Sequence, residues 1–469
     1  MNNNGINKHH LLIKNGECYT GGGFSKLDIV IDSGLISDVL AAGSVSEEGF
    51  ERVIDAEGFF VLPGMIDSHT HIREPGRTDR EDFVSGTAAA AAGGITAVCD
   101  MPNVSPPVYR ESILQDRIHL ANEKVLIDVA FYGGAGFNNL AEQRTLAAAG
   151  VAAFKTFIQP LPQGREAEFN GITACGEEQL LSILQNGAGL KRRFFFHCEN
   201  FNRIAATEKE LHESGVRDYS FHYKSRPPIA ETEAVEMIIR LAKHTGTPIG
   251  ICHVSVPEAC ARIKAAKAEG VDIIAETCFH YLLFDDSYID RLGPYAKCNP
   301  PLRSKALVEE LWQYLEDGTI DYIGSDHAPL LKAEKEQGKD EIWQAFSGMP
   351  SIEVMLPLLL NEVNKGRLSL TRLTELMSVN TAKVFGLYPR KGAINKGTDA
   401  DFTIVDMNAE FIIDTKSMYT KNREVNIMFE NIHGCGIPVY TISRGETIME
   451  RGNVNTEKAG HGQALLIKN

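Results

Sequence analysis

From residue 61 onward, short continuously apolar runs alternate with longer stretches of helical periodicity rich in Ala, Leu, Glu and Lys. A continuous apolar run bounded by helical segments is typical of a strand buried on both faces of a parallel sheet. Eight such runs occur, at 61–71, 94–102, 125–134, 151–158, 192–200, 248–255, 272–282 and 320–329. Repeated βα units of this number predict an α/β fold built on a (β/α)8 barrel.

The two ends of the chain follow a different pattern. Residues 10–60 alternate in short runs broken by Asn-Gly and Ser-Gly pairs, which predicts a small antiparallel sheet. Near the other end, 438–442 and 447–450 read as a strand pair around the turn Arg444-Gly445. We expect both ends to meet in one β-sandwich beside the barrel, and the tail from Asn455 to be loosely ordered. The predicted units are 1–60, 61–387 and 388–469.

Metal-ligand residue types fall at the ends of five of the eight predicted strands. His69 and His71 are two residues apart in a strand, so their side chains share a face and can hold one metal ion. Active-site groups of such barrels come from the carboxyl ends of the strands. Besides this pair, the predicted strand ends carry Lys155, His197 with Cys198 and Glu199, Cys252 with His253, and Asp326 with His327. Taken singly, Lys155 reads as an ion-paired lysine and His197 as a core histidine, whereas together these residues predict a metal site.

Other titratable residues beside these motifs are predicted to be structural. His280 and His327 each neighbour a motif but are expected to lie outside the ligand shell or in the core. Cys198, Cys252 and Cys278 flank the site, and apolar packing is their expected role.

Composition narrows the classes of function. The net charge of -15 and the lack of a basic cluster argue against nucleic acid and anionic membranes as partners. Nine scattered cysteines without a Cys-x-x-Cys pair fit reduced thiols better than a disulfide framework. The first residues, 1–5, are polar, and no run of 18 apolar residues follows, so we expect a soluble cytoplasmic protein.

Several motifs together resemble the cyclic amidohydrolases of the amidohydrolase superfamily, the group that contains dihydroorotases, allantoinases and hydantoinases. The resemblance spans nearly the whole chain. Its carriers are the segments Asp67–Gly76, Gly93–Thr96, Asp100–Asn103, Glu276–Leu282, Lys297–Arg303, Gly324–Pro329 and Lys396–Asp401.

The resemblance implies a hydrolase with two divalent metal ions, expected to be zinc. His69, His71 and Asp326 would hold the first ion, and His197 and His253 the second. Lys155, carboxylated by carbon dioxide, would bridge both, because a carbamate is an anionic ligand whereas an ammonium cannot bind a cation. A metal-bridging hydroxide would attack a ring carbonyl of a small cyclic amide, with Asp326 acting as base and then as acid. Members of the family often form homo-tetramers, so a homo-oligomer is expected.

The residues that would contact the substrate match the patterns of different subfamilies at different positions. Arg73 and Asn103 match a pair that grips the substrate carboxylate in dihydroorotases, and Asn299 would hydrogen-bond the ring. The histidine that completes that grip is replaced by Leu330. Pro160 stands where D-type hydantoinases carry a tyrosine.

Other segments resemble allantoinases and L-type hydantoinases more closely, namely Glu74–Thr78, Glu276–Cys278, Leu311-Trp312 and Gly386–Pro389. We therefore expect an allantoinase or a hydantoinase-like enzyme acting on a five-membered cyclic ureide. Dihydroorotase is the alternative. A non-catalytic dihydropyrimidinase-like scaffold and a mononuclear deaminase are disfavoured, the first because all six ligands are present and the second because of Lys155.

Overall fold

The computed structural model describes residues 9–468, so the polar residues 1–8 considered above lie outside the described residues. Its first five strands all belong to one sheet. They are β1 His9–Tyr19, β2 Phe24–Asp32, β3 Leu35–Ala41, β4 Phe50–Asp55 and β5 Phe60–Pro63. Strands β1, β2 and β3 pair antiparallel, but β4 and β5 both pair parallel to β1. The expectation of a purely antiparallel N-terminal sheet is therefore wrong, since the chain crosses back between β3 and β4 instead of turning in a hairpin.

The middle of the chain forms the barrel, which confirms the prediction from the eight apolar runs. Its strands are β6 Met65–Thr70, β7 Ile95–Asp100, β8 Asp128–Gly134, β9 Ala153–Ile158, β10 Thr173–Ala174, β11 Phe194–His197, β12 Ile249–Ile251, β13 Ile273–Cys278 and β14 Tyr322–Gly324. All pair parallel in sequence order, with the two-residue β10 as a side branch on β9. A parallel bridge from Thr70 to His327 connects the last strand to the first.

Helices follow the barrel strands and cover the sheet. They are α1 Phe83–Ala92, α2 Glu111–Lys124, α3 Gln143–Ala149, α4 Glu166–Phe169, α5 Glu177–Gly187, α6 Phe201–Glu213, α7 Phe221–Ser225, α8 Pro228–Thr245, α9 Pro257–Ala268, α10 Phe279–Leu283, α11 Ser287–Leu292, α12 Lys305–Glu316, α13 Lys332–Glu336, α14 Ile352–Asn364, α15 Leu370–Thr374 and α16 Asn380–Val384. Local chemistry sets their ends: Asp82 caps α1 by accepting from the Ser85 N–H, and α8 ends at Gly246 with φ +69°. Across residues 9–468, none of these helices is both long and apolar enough to cross a membrane.

The C-terminal strands complete the first sheet. They are β15 Phe402–Ile412, β16 His433–Ser443, β17 Glu446–Glu450 and β18 Asn453–Val454, whereas the last strand, β19 Ala464–Leu465, joins the barrel sheet. The order β18-β17-β16-β15-β5-β1-β2-β3 joins both chain ends in one mixed sheet, as predicted. Arg444 and Gly445 both have positive φ, as the tight turn between β16 and β17 requires.

The C-terminal tail is ordered, contrary to expectation. Strand β19 pairs parallel with β8, and the N–H groups of Gly460 and Gly462 both donate to the Val125 carbonyl. Leu465 is buried among residues of the barrel interior, close to Phe385, whose ring stacks on that of Phe195. These side chains fill the amino-terminal end of the barrel, so the barrel interior is accessible from the opposite end, where active sites of this fold lie.

Candidate metal centre and substrate pocket

The six predicted ligands come together at the carboxyl-terminal end of the barrel strands. His69, Lys155 and His197 lie within or at the end of β6, β9 and β11, while His71, His253 and Asp326 follow the strands directly. His253 and Asp326 both have positive φ, +40° and +48°. Non-glycine residues rarely adopt this conformation, and it occurs preferentially at functional sites.

Asp326 joins the two histidines of the first strand. Its Oδ1 lies 3.0 Å from His71 Nε2 and 3.4 Å from His69 Nε2. Burial alone would raise the pKa of the Asp326 carboxyl, but the adjacent imidazoles hold it well below its ordinary value. The three atoms form one converging donor set.

A second pair of donors faces inward next to the first. His197 Nδ1 and His253 Nε2 are 3.0 Å apart, and the His253 ring centroid lies 5.3 Å from that of His69. Two ring nitrogens at this distance can share a hydrogen bond, and the same two nitrogens can bind one cation. The grouping matches the two ligand sets implied by the family resemblance.

The outer nitrogens of three of these rings are anchored on protein oxygens. His69 Nδ1 donates to Glu276 Oε1 at 2.6 Å, His71 Nδ1 to Asn103 Oδ1 at 2.6 Å, and His197 Nε2 to Glu199 Oε2 at 2.8 Å. Such anchoring fixes the tautomer and leaves the inner nitrogen free to bind a metal. The donor set therefore fits a metal centre.

The pKa shifts of the histidines also support a metal centre. Burial and the nearby Lys155 lower the pKa of His197. Burial, His197 and Lys155 also hold the pKa of His253 well below its ordinary value. The pKa of His71 falls to about 3, mainly through burial. Neutral imidazole is the form that binds metal, so three of the four rings are in the required state.

His69 differs from the other three rings. Burial would lower its pKa, but the carboxylates of Glu276 and Asp326 raise it to about 10. A bound cation would compete with that proton for the inner nitrogen.

Lys155 is fully buried between the two donor groups, and its amine lies 2.9 Å from Cys252 Sγ. Within residues 9–468, no carboxylate oxygen lies within 4.0 Å of this amine. The thiol of Cys252 thus contacts the site, beyond the apolar packing expected of it, whereas Cys198 and Cys278 are buried in the main core cluster.

The metal-ligand types form the floor of a cavity of about 320 Å³, within the usual size of small-molecule sites. Aromatic walls come from Phe157, Phe169, Trp343 and Phe346, and polar groups from Arg73, Asn103, Gln159, Arg165, Arg226, Lys297 and Asn299. Asn103 and Asn299 thus line the pocket, and each is also hydrogen-bonded to a protein side chain. Asn103 Oδ1 accepts from His71, and Asn299 Oδ1 accepts from Ser347 Oγ at 3.1 Å.

Arg73 lines this cavity without an acidic partner in the described part of the chain. It is 4% exposed, its Nε has no hydrogen-bond partner there, and one Nη contacts the Asn103 carbonyl at 3.4 Å. Burial and the charges of Arg80 and Arg165 lower its pKa to about 9. A buried guanidinium without a carboxylate is ready to receive an anionic group. Leu330 is buried as well.

Sequence reasoning missed Glu276 and Glu199 as functional residues. Glu276 is fully buried, and besides His69 it accepts from Ser68 Oγ and from the His253 N–H. Glu276 begins one of the motifs that resemble the family, and Glu199 stands two residues after His197 at the end of a predicted strand, so these positions were the available signal. His280 and His327 are buried beside the site, as expected.

Known proteins resemble this chain over nearly its full length. A model of the amidohydrolase family matches residues 60–448. An L-hydantoinase of Paenarthrobacter aurescens is 34% identical over 463 residues, with 98% of each chain covered, and an allantoinase of Rubrobacter xylanophilus is 36% identical, with 96% of each covered. A solved L-hydantoinase (dihydropyrimidinase) from Arthrobacter aurescens superposes with a TM-score of 0.92 at 33% identity, covering 98% of this chain and 100% of that one.

Proposed function

The chain belongs to the amidohydrolase family, and from that premise we propose that it is a metal-dependent hydrolase that opens a cyclic ureide ring, as allantoinases and hydantoinases do. One observation carries the proposal. Four imidazoles and a carboxylate converge on the floor of a cavity sized for a small molecule, and Lys155 is fully buried next to them.

In the proposed arrangement His69, His71 and Asp326 hold one divalent ion, and His197 and His253 hold the other. When bound, the metal pair supplies Lewis acidity and makes a hydroxide nucleophile available near neutral pH. Zinc is the proposed metal, because imidazole and carboxylate ligands suit it.

Carboxylated Lys155 is the proposed bridge between the two ions. Support comes from its burial and from the lack of any described carboxylate within 4.0 Å, because a structural buried lysine is normally ion-paired.

Asp326 is the proposed proton carrier. Its carboxylate faces both histidines of the first group at the cavity floor, and its low pKa keeps it ionised and able to accept a proton. It would take the proton of the attacking water and return it to the ring nitrogen as the amide bond breaks.

The proposed substrate is a five-membered cyclic ureide, allantoin or a 5-substituted hydantoin. Opening such a ring at its amide bond leaves a new carboxylate, which the Arg73 guanidinium can receive, because it has no acidic partner among the described residues. The same guanidinium favours dihydroorotase as the second candidate, since dihydroorotate carries a carboxylate before the reaction. Leu330 at the position of the third carboxylate anchor weighs against that candidate.

Ring opening measured across allantoin, hydantoins, dihydrouracil and dihydroorotate separates the candidates. We expect turnover of allantoin or hydantoins to exceed that of dihydroorotate. Arg73→Ala should then weaken binding of the ring-opened product without reversing the preference. A marked preference for dihydroorotate that disappears in Arg73→Ala would reject the ureide assignment.

A further inference from the structure

One wall of the cavity is a segment with little regular structure. Residues 342–348 contain only a short 3₁₀ turn, Ile342–Gln344, and bring Trp343, Phe346 and Ser347 to the cavity. A segment of this kind cannot satisfy its own backbone groups, so its position depends on partners from elsewhere in the fold.

Lys297 supplies several of those partners at once. Its Nζ donates to the carbonyls of Ile342 at 2.8 Å and Ala345 at 2.6 Å, and its own carbonyl accepts from the Gly348 N–H at 3.0 Å. The residue is 6% exposed, and no described carboxylate lies within 4.0 Å of its amine. The amine of Lys297 is therefore held by backbone carbonyls of the 342–348 segment and not by an ion pair.

A second buried lysine supports the first. Lys335 is fully buried, and its Nζ donates to the Lys297 carbonyl at 3.1 Å. Burial lowers the pKa of Lys335 to about 7. Burying two lysines side by side is unfavourable, and such an arrangement is retained where it fixes a particular geometry.

The wall is docked closely on the segment that follows β14. The Phe346 N–H donates to the Glu334 carbonyl at 3.1 Å, and Ser347 Oγ donates to Asn299. Gly348 has φ +143°, and a Cβ at this position would lie 2.7 Å from the Ala328 carbonyl oxygen. Ala328 is two residues from Asp326, so this close packing fixes the position of the wall relative to the proposed proton carrier.

We propose that Lys297 is a positioning residue that holds the 342–348 wall in place and thereby sets affinity for the ring substituent. The proposal rests on the proposed function for the identity of the substrate. Because the amine of Lys297 is bound to wall carbonyls, its loss would weaken substrate binding while the metal ligands and Asp326 stay in place.

The kinetic test compares Lys297→Met with the parent enzyme on its best cyclic ureide. We expect KM to rise about tenfold, the range expected when buried carbonyls lose their donor, with kcat changed by less than about twofold. Metal content should be unchanged. Lys267→Met is the matched control, because Lys267 also donates to a backbone carbonyl, that of Thr319, but lies outside the cavity lining. An unchanged KM in folded, metal-loaded Lys297→Met would overturn the proposal.

Lys297→Gln covers the case in which Lys297→Met does not fold. The amide retains two N–H donors, so we expect KM to rise by less than in Lys297→Met but above the value of the Lys267→Met control. A KM equal to that of the control would count against the proposal.

A second measurement does not depend on the substrate. The chain has two tryptophans, Trp312 and Trp343, so Trp312→Phe leaves a single reporter on the wall. We expect acrylamide to quench Trp343 at least about twofold more strongly once Lys297→Met is added to that background. Equal quenching would reject the role of Lys297. If the parent enzyme opened no cyclic ureide, the proposed function would fail while this measurement still decided the question of the wall.

Discussion

The histidines at the open end of the barrel do not all turn the same ring nitrogen toward the cavity. In three of the rings, the nitrogen that is anchored on a protein oxygen points away from the cavity, and the other nitrogen faces it. His69 and His71 are held at Nδ1 and His197 at Nε2. Held in this way, the rings need little reorganisation to bind a metal, and the geometry is set before any ion arrives.

Asp326→Asn tests the proton carrier. The amide cannot accept and return a proton, so we expect kcat to fall by about 10²-fold to 10⁴-fold. Kinetics and metal analysis on the same preparation check this. A variant that kept metal and more than about a tenth of the parent kcat would remove the acid–base role from Asp326.

Glu276→Gln tests the anchor of His69. With the charge lost from a buried contact to a metal-ligating ring, we expect metal affinity to weaken by about tenfold to 100-fold. Glu362→Gln is the control, since Glu362 is also a buried glutamate but pairs with Lys365 on α14. Competition with a chelator gives the affinities. Equal affinities in the two variants would mean that Glu276 has no role in the site.

Residue roles were predictable from sequence only where a strand ends. His69 and Asp326 follow from residue type and position. The contact of Glu276 with His69 was not predictable from residue type, because the two residues are 207 positions apart and meet only once the barrel closes.

At the scale of elements, strands buried on both faces are the best predicted. The four residues of β11 and the three of β14 are all buried, and each lies in a continuous apolar run. Strand β19 was missed because it has two residues, Ala464 and Leu465, and pairs with β8 at a separation of 335 positions. No local periodicity can report a pairing of that length.

Leu465→Ala tests whether the tail is part of the barrel core. Leu465 is 1% exposed and its neighbour Leu466 is 41% exposed. We expect Leu465→Ala to lower the free energy of unfolding by about 2–4 kcal/mol. Leu466→Ala should change it by less than about 1 kcal/mol. Chemical denaturation of both variants gives the comparison, and similar losses in the two would show that β19 does not contribute to the core.

In the molecule as a whole, the barrel brings the proposed ligands from five strands to one end, while side chains such as Leu465 and Phe385 fill the other end. Sequence pattern predicted the barrel and the union of the chain ends, but it did not predict the mixed strand directions or the wall at 342–348. Those features depend on long-range packing, in which Lys297 meets carbonyls 45 to 48 positions away.

The most direct test of a metal-dependent ring-opening enzyme is a zinc titration of the metal-free protein in bicarbonate buffer, with allantoin and hydantoin hydrolysis measured at each addition. We expect no turnover without metal and a rise that saturates at two zinc ions per chain, because the proposed ligands form two groups that a carboxylated Lys155 would bridge. Full turnover by the metal-free protein, or saturation at a single ion, would contradict it.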